Sequence, residues 1–404
     1  MKKLAVNGGT PVAGNQKTVP APWPPVSEAT ADRLRELYLS RAWSFNSASE
    51  QKFETMYAEY HGAAYGVFMA NGTVTLECAL TALGVGPGDE VVVPALTWIA
   101  TAMAVKYVGA KIVFADIDPL TFALDPDAFE RVITPRTRAV IPVHLYGGMA
   151  DLDRIIAIAR RHNIAVVEDC AHMQGGKWNG RGVGSWGDIG SFSFQQSKTL
   201  SCGEGGIVLT NSQELAEKLY RCKHIGYSRY DRKGHAETPP PQGLVCHNYR
   251  CTAFQAEILI GQLPGLPGII EEYNRFADRL RGMLAGVEGV RLQAPGRLAS
   301  PQGYYGLGIV FETERWMKYP LEVISRALGA EGFVCANDNY GPVYRHLLFN
   351  LPPEDYTLPP CPNTEHISAR ALVVGHEYMG IPENVDIIAA AVKKVSENLD
   401  ELEA

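Results

Sequence analysis

Short apolar runs alternating with helical stretches constrain this chain more than any other feature. AAYGVFMA, EVVVPA, KIVFAD, RAVIPVH and IAVVED follow one another between residues 63 and 169. Between them lie helical stretches such as TVTLECALTALG, WIATAMAVKYVG and MADLDRIIAIARRH. Apolar runs without polar alternation read as strands buried on both faces, and amphipathic helices between them supply the cover, so the pattern argues for a parallel sheet with helices on both sides. From about Asp188 the pattern shifts to strand-like SFSF and GGIVLT and then a helix at SQELAEKLYRCKHIG. Ahead of the alternation, Ser27 reads as the cap of one helix, and a second runs from Ser49 to Gly62. Tyr227 to Leu244 is a polar, Pro-rich excursion, either flexible or carrying function. Beyond it come helical TAFQAEILIGQL, a long amphipathic helix through Leu284, and weaker α+β segments.

At 404 residues and ~150 residues per domain, two or three domains are expected. The expected division is a large α/β domain over 1–263 and a smaller C-terminal α+β domain over 264–404. Hydrophobic residues at 46% and charged residues at 20% exclude disorder as the default state. A net charge of −7 lacks the basic field that nucleic-acid binding needs. No apolar stretch approaches the ~20 residues that span a bilayer, and MKKLAVNGGTPV breaks before a signal-peptide core can form. The eight cysteines are scattered without a C-x-x-C pair, which reads as reduced, packed thiols. His144, His172 and His376 have no metal-ligand spacing, so no metal is expected. A cytoplasmic protein without membrane or nucleic-acid partners is the starting expectation.

Chemistry concentrates in AVVEDCAHMQGG and SFSFQQSKTLSCGEGG. The first ends a strand on Glu168-Asp169, at the sheet edge where open α/β sheets bind ligands. The second sets Lys198 between hydroxylic neighbours with glycines close behind. Asn71-Gly72-Thr73 joins a strand end to a helix start, where N–H groups and the helix dipole favour a phosphate. Trp98 opens a helix after another strand end and can stack on a flat ligand. Taken alone, each has an ordinary explanation: a turn-capping Asp169, a solvated Lys198, an Asn-Gly turn with Thr73 as helix cap, a core Trp98. Together, a phosphate cradle, an aromatic plate, a carboxylate and a lysine describe pyridoxal 5'-phosphate chemistry. In that chemistry the lysine binds the aldehyde and moves protons, and the carboxylate keeps the pyridine nitrogen protonated. Gly182-x-Gly184-x-x-Gly187 matches a dinucleotide fingerprint but lacks the helix that should follow it. Arg229, Arg232 and Lys233 read as a solvated loop.

Nearly the whole chain, from LAVNGGTPV through PALTWIAT, ADIDPLTFALDPD, EDCAHMQGG, SFQQSKTLSCGEGG and HNYRCTAFQAEIL to ALVVGH, resembles the DegT/StrS-type aminotransferases. These are sugar- and aminocyclitol-modifying members of the aspartate aminotransferase superfamily, of fold type I. The resemblance implies Lys198 as the cofactor lysine, Asp169 as the pyridinium partner, and Trp98 stacked on the ring with His172 near its other side. It also implies a phosphate held by Gly72, Thr73 and Ser193, joined by Asn248 from a second subunit, so that a homodimer shares its sites. Arg250 and His376 are the implied substrate contacts. Position 172 is often glutamine in the family. The stretch ALVVGHEYMG departs from the leucine–proline-rich pattern of sugar-nucleotide members and is closer to the aminocyclitol and aminohydroxybenzoate branches. The expected reaction moves an amino group from glutamine, or next glutamate, to a keto-cyclitol or keto-sugar. A nucleotide-sugar aminotransferase, a 3-amino-5-hydroxybenzoate synthase type and a non-catalytic cofactor-binding partner are the alternatives.

Overall fold

The computed structural model describes residues 3–402 except Lys233 and Cys335. Those two, read above as part of a charged loop and of the thiol set, lie outside the described residues. The seven expected strands lie in an eight-stranded sheet. They are β1 (Tyr65–Met69), β2 (Glu90–Pro94), β3 (Lys111–Ala115), β4 (Thr137–Val140), β5 (Ala165–Asp169), β6 (Ile189–Ser193) and β7 (Gly206–Thr210). A smaller sheet follows from β8 (Val290–Leu292), β9 (Gly306–Phe311), β10 (Ala336–Asp338) and β12 (Ala371–Gly375), while the two-residue β11 (Tyr356–Thr357) returns to the large sheet beside β3. The large sheet runs β1-β7-β6-β5-β4-β2-β3-β11, and only β7 is antiparallel to its neighbours. The small sheet is antiparallel throughout, as an α+β unit should be.

Period-two alternation sorts the strand side chains onto two faces. In β1, Val67 and Met69 pack with Leu76, Ala102 and Leu219 from helices on one face. Phe68 packs on the other with Phe53, Tyr57, Phe192 and Phe194. A separate core joins the long helix Leu266–Leu284 and the helix Asn384–Glu397 to the small sheet, and Leu4 from the N-terminal segment is buried in it. The chain thus crosses between the two cores near its start and again at β11.

The second helix spans Ala48–His61 and is capped by Ser47, two positions before the expected Ser49, whose hydroxyl instead donates to Glu257. Its end is as expected, on Gly62 at φ 72°. Ser27 caps the helix before it. The polar excursion is tied down: Arg229 pairs with Glu54 at 2.7 Å, and Arg221 bonds Thr238. Arg229 is therefore a fastener and not part of a solvated loop.

Parallel strands bring β1, β2, β5 and β6 to one edge with their C-terminal ends. Met69, Pro94, Asp169 and Ser193 stand there together.

Candidate active site

A cavity of about 940 Å3 opens at that edge. It gathers Lys198, Asp169, Trp98 and His172, and beside them Gly72, Thr73 and Ser193. The helix Gly72–Ala82 starts against the end of β6: a Cβ at position 72 would stand 2.7 Å from the Ser193 Cβ. Glycine is what permits that approach. The cap, however, is Asn71 and not Thr73; its side chain accepts the N–H groups of Thr73 and Val74 at 3.0 Å each. The wall then offers a phosphate the Gly72 peptide, the positive end of the helix dipole, and the hydroxyls of Thr73 and Ser193.

Asp169 ends β5 and is 6% exposed. Its carboxylate accepts from the Thr101 hydroxyl at 2.8 Å and from the Ala171 N–H at 3.2 Å, so it caps the turn as well as facing the cavity. Burial raises its pKa, against the pull of Thr101, Ala171 and Lys198. Such a carboxylate is stabilised by any cation brought beside it, a protonated pyridine nitrogen included. Lys198 is shifted the opposite way. Burial lowers its pKa to about 8, with Asp169 opposing, and its Nζ lies 4.3 Å from the centre of the Tyr305 ring. Near neutral pH a minor fraction of its amine is deprotonated, far more than for an ordinary lysine, which favours a nucleophile and base.

His172 is 5% exposed and stacks on Tyr305 with ring centroids 3.9 Å apart. The Tyr146 N–H donates to its Nδ1, which leaves Nε2 to meet the Tyr340 hydroxyl at 3.2 Å. Burial and the nearby Lys198 hold its pKa well below the ordinary value, so it is a neutral plate. Trp98 caps the helix Ile99–Tyr107 and remains 44% exposed, with Tyr340 and His346 as ring neighbours.

Three expected site residues lie elsewhere in the chain. Asn248 is exposed, its backbone bridged to His224 outside the cavity. Arg250 turns to His224 and to the face of Phe45. His376 is 2% exposed with both nitrogens engaged, accepting from Tyr273 and donating to the Ser197 carbonyl at 2.7 Å. It adjoins a second cavity next to the first. Trp23 makes edge contact with His376, and its indole N–H donates to the Lys198 carbonyl. The N-terminal segment and the small sheet thus grip the backbone on either side of the Ser197–Lys198 peptide.

Thr101, Tyr305, Tyr340 and Trp23 escaped the reading of the sequence. Thr101 follows Trp98 by one helical turn, a legible signal; the others are remote in sequence and carry none. Gly184 and Gly187 also find their purpose. N–H groups of Gly184, Trp186 and Gly187 surround the fully buried Glu168 carboxylate, which His144 meets at 3.5 Å. Burial alone would raise that carboxyl, but His144 and these peptides hold its pKa below the usual value. Cys170 completes a buried group with His144 and Glu168 whose ligand atoms lie within 4.8 Å of one another.

A close glycine-lined helix start, two hydroxyls, a buried carboxylate short of counter-charge and a lysine with lowered pKa suit a planar phosphorylated aldehyde. Pyridoxal phosphate fits this donor set; when bound, it supplies an aldehyde that takes up amino groups and a ring that withdraws electrons.

Residues 26–393 match the DegT/DnrJ/EryC1/StrS aminotransferase family. The L-glutamine:2-deoxy-scyllo-inosose aminotransferase of Streptoalloteichus tenebrarius is 35% identical over 99% of each chain. The L-glutamine:scyllo-inosose aminotransferase of Streptomyces griseus is 34% identical over 99% of each. Among solved structures, 3-amino-5-hydroxybenzoic acid synthase aligns with a TM-score of 0.83 and 29% identity, covering 94% of this chain and 100% of that one. The chain belongs to the DegT/DnrJ/EryC1/StrS aminotransferase family and is a pyridoxal-phosphate-dependent aminotransferase.

Proposed function

We propose that this enzyme transfers the amino group of glutamine to the ketone of a free cyclitol ring, in aminocyclitol or antibiotic-type biosynthesis. The observation that carries this reading is the end-to-end identity, 35% over 99% of both chains, with an enzyme named for that donor and an inosose acceptor. In this reading Lys198 Nζ removes the proton from the donor's α-carbon in the first half-reaction. In the second it delivers a proton to the former ketone carbon. Asp169 would hold a proton on the pyridine nitrogen of the bound cofactor. Trp98 and His172 confine the ring, and Gly72, Thr73 and Ser193 anchor its phosphate. His376 acts as a brace on the Lys198 loop, since its nitrogens are spent within the protein.

The active unit in this reading is a homodimer, with Asn248 and Arg250 reaching the partner's site. Their position outside the cavity of their own chain supports it. A division into two domains near residue 263 and a cytoplasmic location belong to the same reading; among the described residues no helix is long and apolar enough to cross a membrane.

The test is product identification with glutamine and a panel of free keto-cyclitols and nucleotide-linked keto-sugars. Aminated cyclitols are expected. Amination of the nucleotide-linked sugars alone would replace this reading with a sugar-nucleotide one.

A further inference from the structure

The second cavity, about 340 Å3, shares Ser197, Tyr305 and Tyr340 with the first. Three segments remote in sequence close it: Trp23 from the N-terminal stretch, Gln196 beside Lys198, and Glu377 after β12. Among the described residues lining it there is no Lys or Arg. His376 is kept from protonation chiefly by its burial, and its Nε2 already serves the Ser197 carbonyl. Glu377 therefore brings a carboxylate into a wall without a cation to match it; the closest basic atom is that same His376 Nε2, at 3.9 Å.

The carboxylate sits where it does because residue 375 is glycine. A Cβ there would stand 2.6 Å from Glu377 Oε2 and 2.7 Å from Oε1. The side chain folds back over that bare Cα and is only 32% exposed. A carboxylate is purely an acceptor and forms its strongest neutral-ligand contacts with hydroxyl donors. The tyrosine hydroxyls and the Gln196 amide can donate or accept, and the Trp23 indole offers an apolar plate. These are the contacts that a ring carrying hydroxyls around its rim and C–H bonds on its faces can satisfy. The volume lies at the low end of the ~300–1,000 Å3 of small-molecule pockets, enough for one ring and not for a ring with a nucleoside. The shared wall brings such a ring to Tyr305, over which Lys198 is placed.

We propose that this second cavity is the acceptor subsite, built for a neutral polyhydroxylated ring whose hydroxyls donate to Glu377, and that Glu377 excludes rings bearing phosphate or carboxylate. The proposal rests on the ring-ketone reading above and adds the residue that selects among rings. Exclusion follows because an anionic substituent would meet an unmatched carboxylate at short range.

Steady-state kinetics of the holoenzyme with glutamine and a free keto-cyclitol test it. Glu377→Gln is expected to raise KM for the ketone at least tenfold while KM for glutamine changes less than twofold. Gly375→Ala, which drives the carboxylate from its place without removing it, is expected to raise the ketone KM in the same way. The cofactor absorbance spectrum reports that each variant keeps its site. An unchanged ketone KM in either spectrally intact variant overturns the subsite and leaves the cyclitol reading standing. If the wild type aminates nucleotide-linked keto-sugars and no free keto-cyclitol, both fall together.

Discussion

Lys198 and Asp169 show how one sheet edge shifts two groups toward the tasks proposed for them. Burial disfavours the charged form of each, so the lysine loses protons more readily and the aspartate less so. For Lys198 the neutral amine is the form that attacks an aldehyde, and its fraction grows as pH rises through about 8. Uptake of pyridoxal phosphate by the apoenzyme should therefore accelerate from pH 6 upward and level off above that pKa. Stopped-flow absorbance on the cofactor band measures it. A rate that is flat across this range, or still climbing toward pH 10.5, would show that the amine is not shifted as its surroundings require.

Elements around the site are fastened by a buried charge cluster. Lys223, at the end of the helix Gln213–Lys223, is 1% exposed and reaches Glu50, Glu54 and the Phe68 carbonyl. Burial alone would lower its pKa, but the two carboxylates outweigh burial and raise it. Burial in turn raises Glu54, with Lys223 and Arg229 opposing. One ammonium thus joins two helices and β1, and Arg229 ties the excursion after residue 227 to the same Glu54. Lys223→Met leaves both carboxylates buried without it and should cost about 3–5 kcal/mol of stability, read by chemical denaturation. A loss below ~1 kcal/mol would place the cluster among weakly contributing ion pairs. Much of this element level was legible in advance. The apolar runs became β1 to β5 because strands covered on both faces need unbroken apolar sequence. Two-residue β11 was not legible, since its pairing with Ile112 and Val113 depends on where the chain returns and not on its own pattern. At the site, Lys198, Asp169 and Gly72 stood out because strand ends and glycine turns leave local marks. Tyr305 and Tyr340 left none, because only the fold brings the one to Lys198 and the other to His172.

The molecule as a whole, with the shared sites proposed for it, needs two copies. A twofold interface is self-complementary, so each subunit would lend Asn248 and Arg250 to the other. In a heterodimer of an Asn248→Ala subunit and a Lys198→Ala subunit, the site built on the intact lysine receives the intact Asn248, and both lesions fall in the other. Such mixed dimers should regain up to one active site, with wild-type cofactor affinity there. Loose cofactor at the Lys198-bearing site would instead assign Asn248 to its own chain.

Trapping shows whether this cavity holds the cofactor on Lys198. The holoenzyme is reduced with borohydride, digested, and the phosphopyridoxylated peptide is sequenced by mass spectrometry. One modified residue is expected, Lys198, within SFSFQQSKTLSCGEGG, and no label there in Lys198→Ala. Stoichiometric label on any other lysine, or no label on a preparation that turns over, would contradict it.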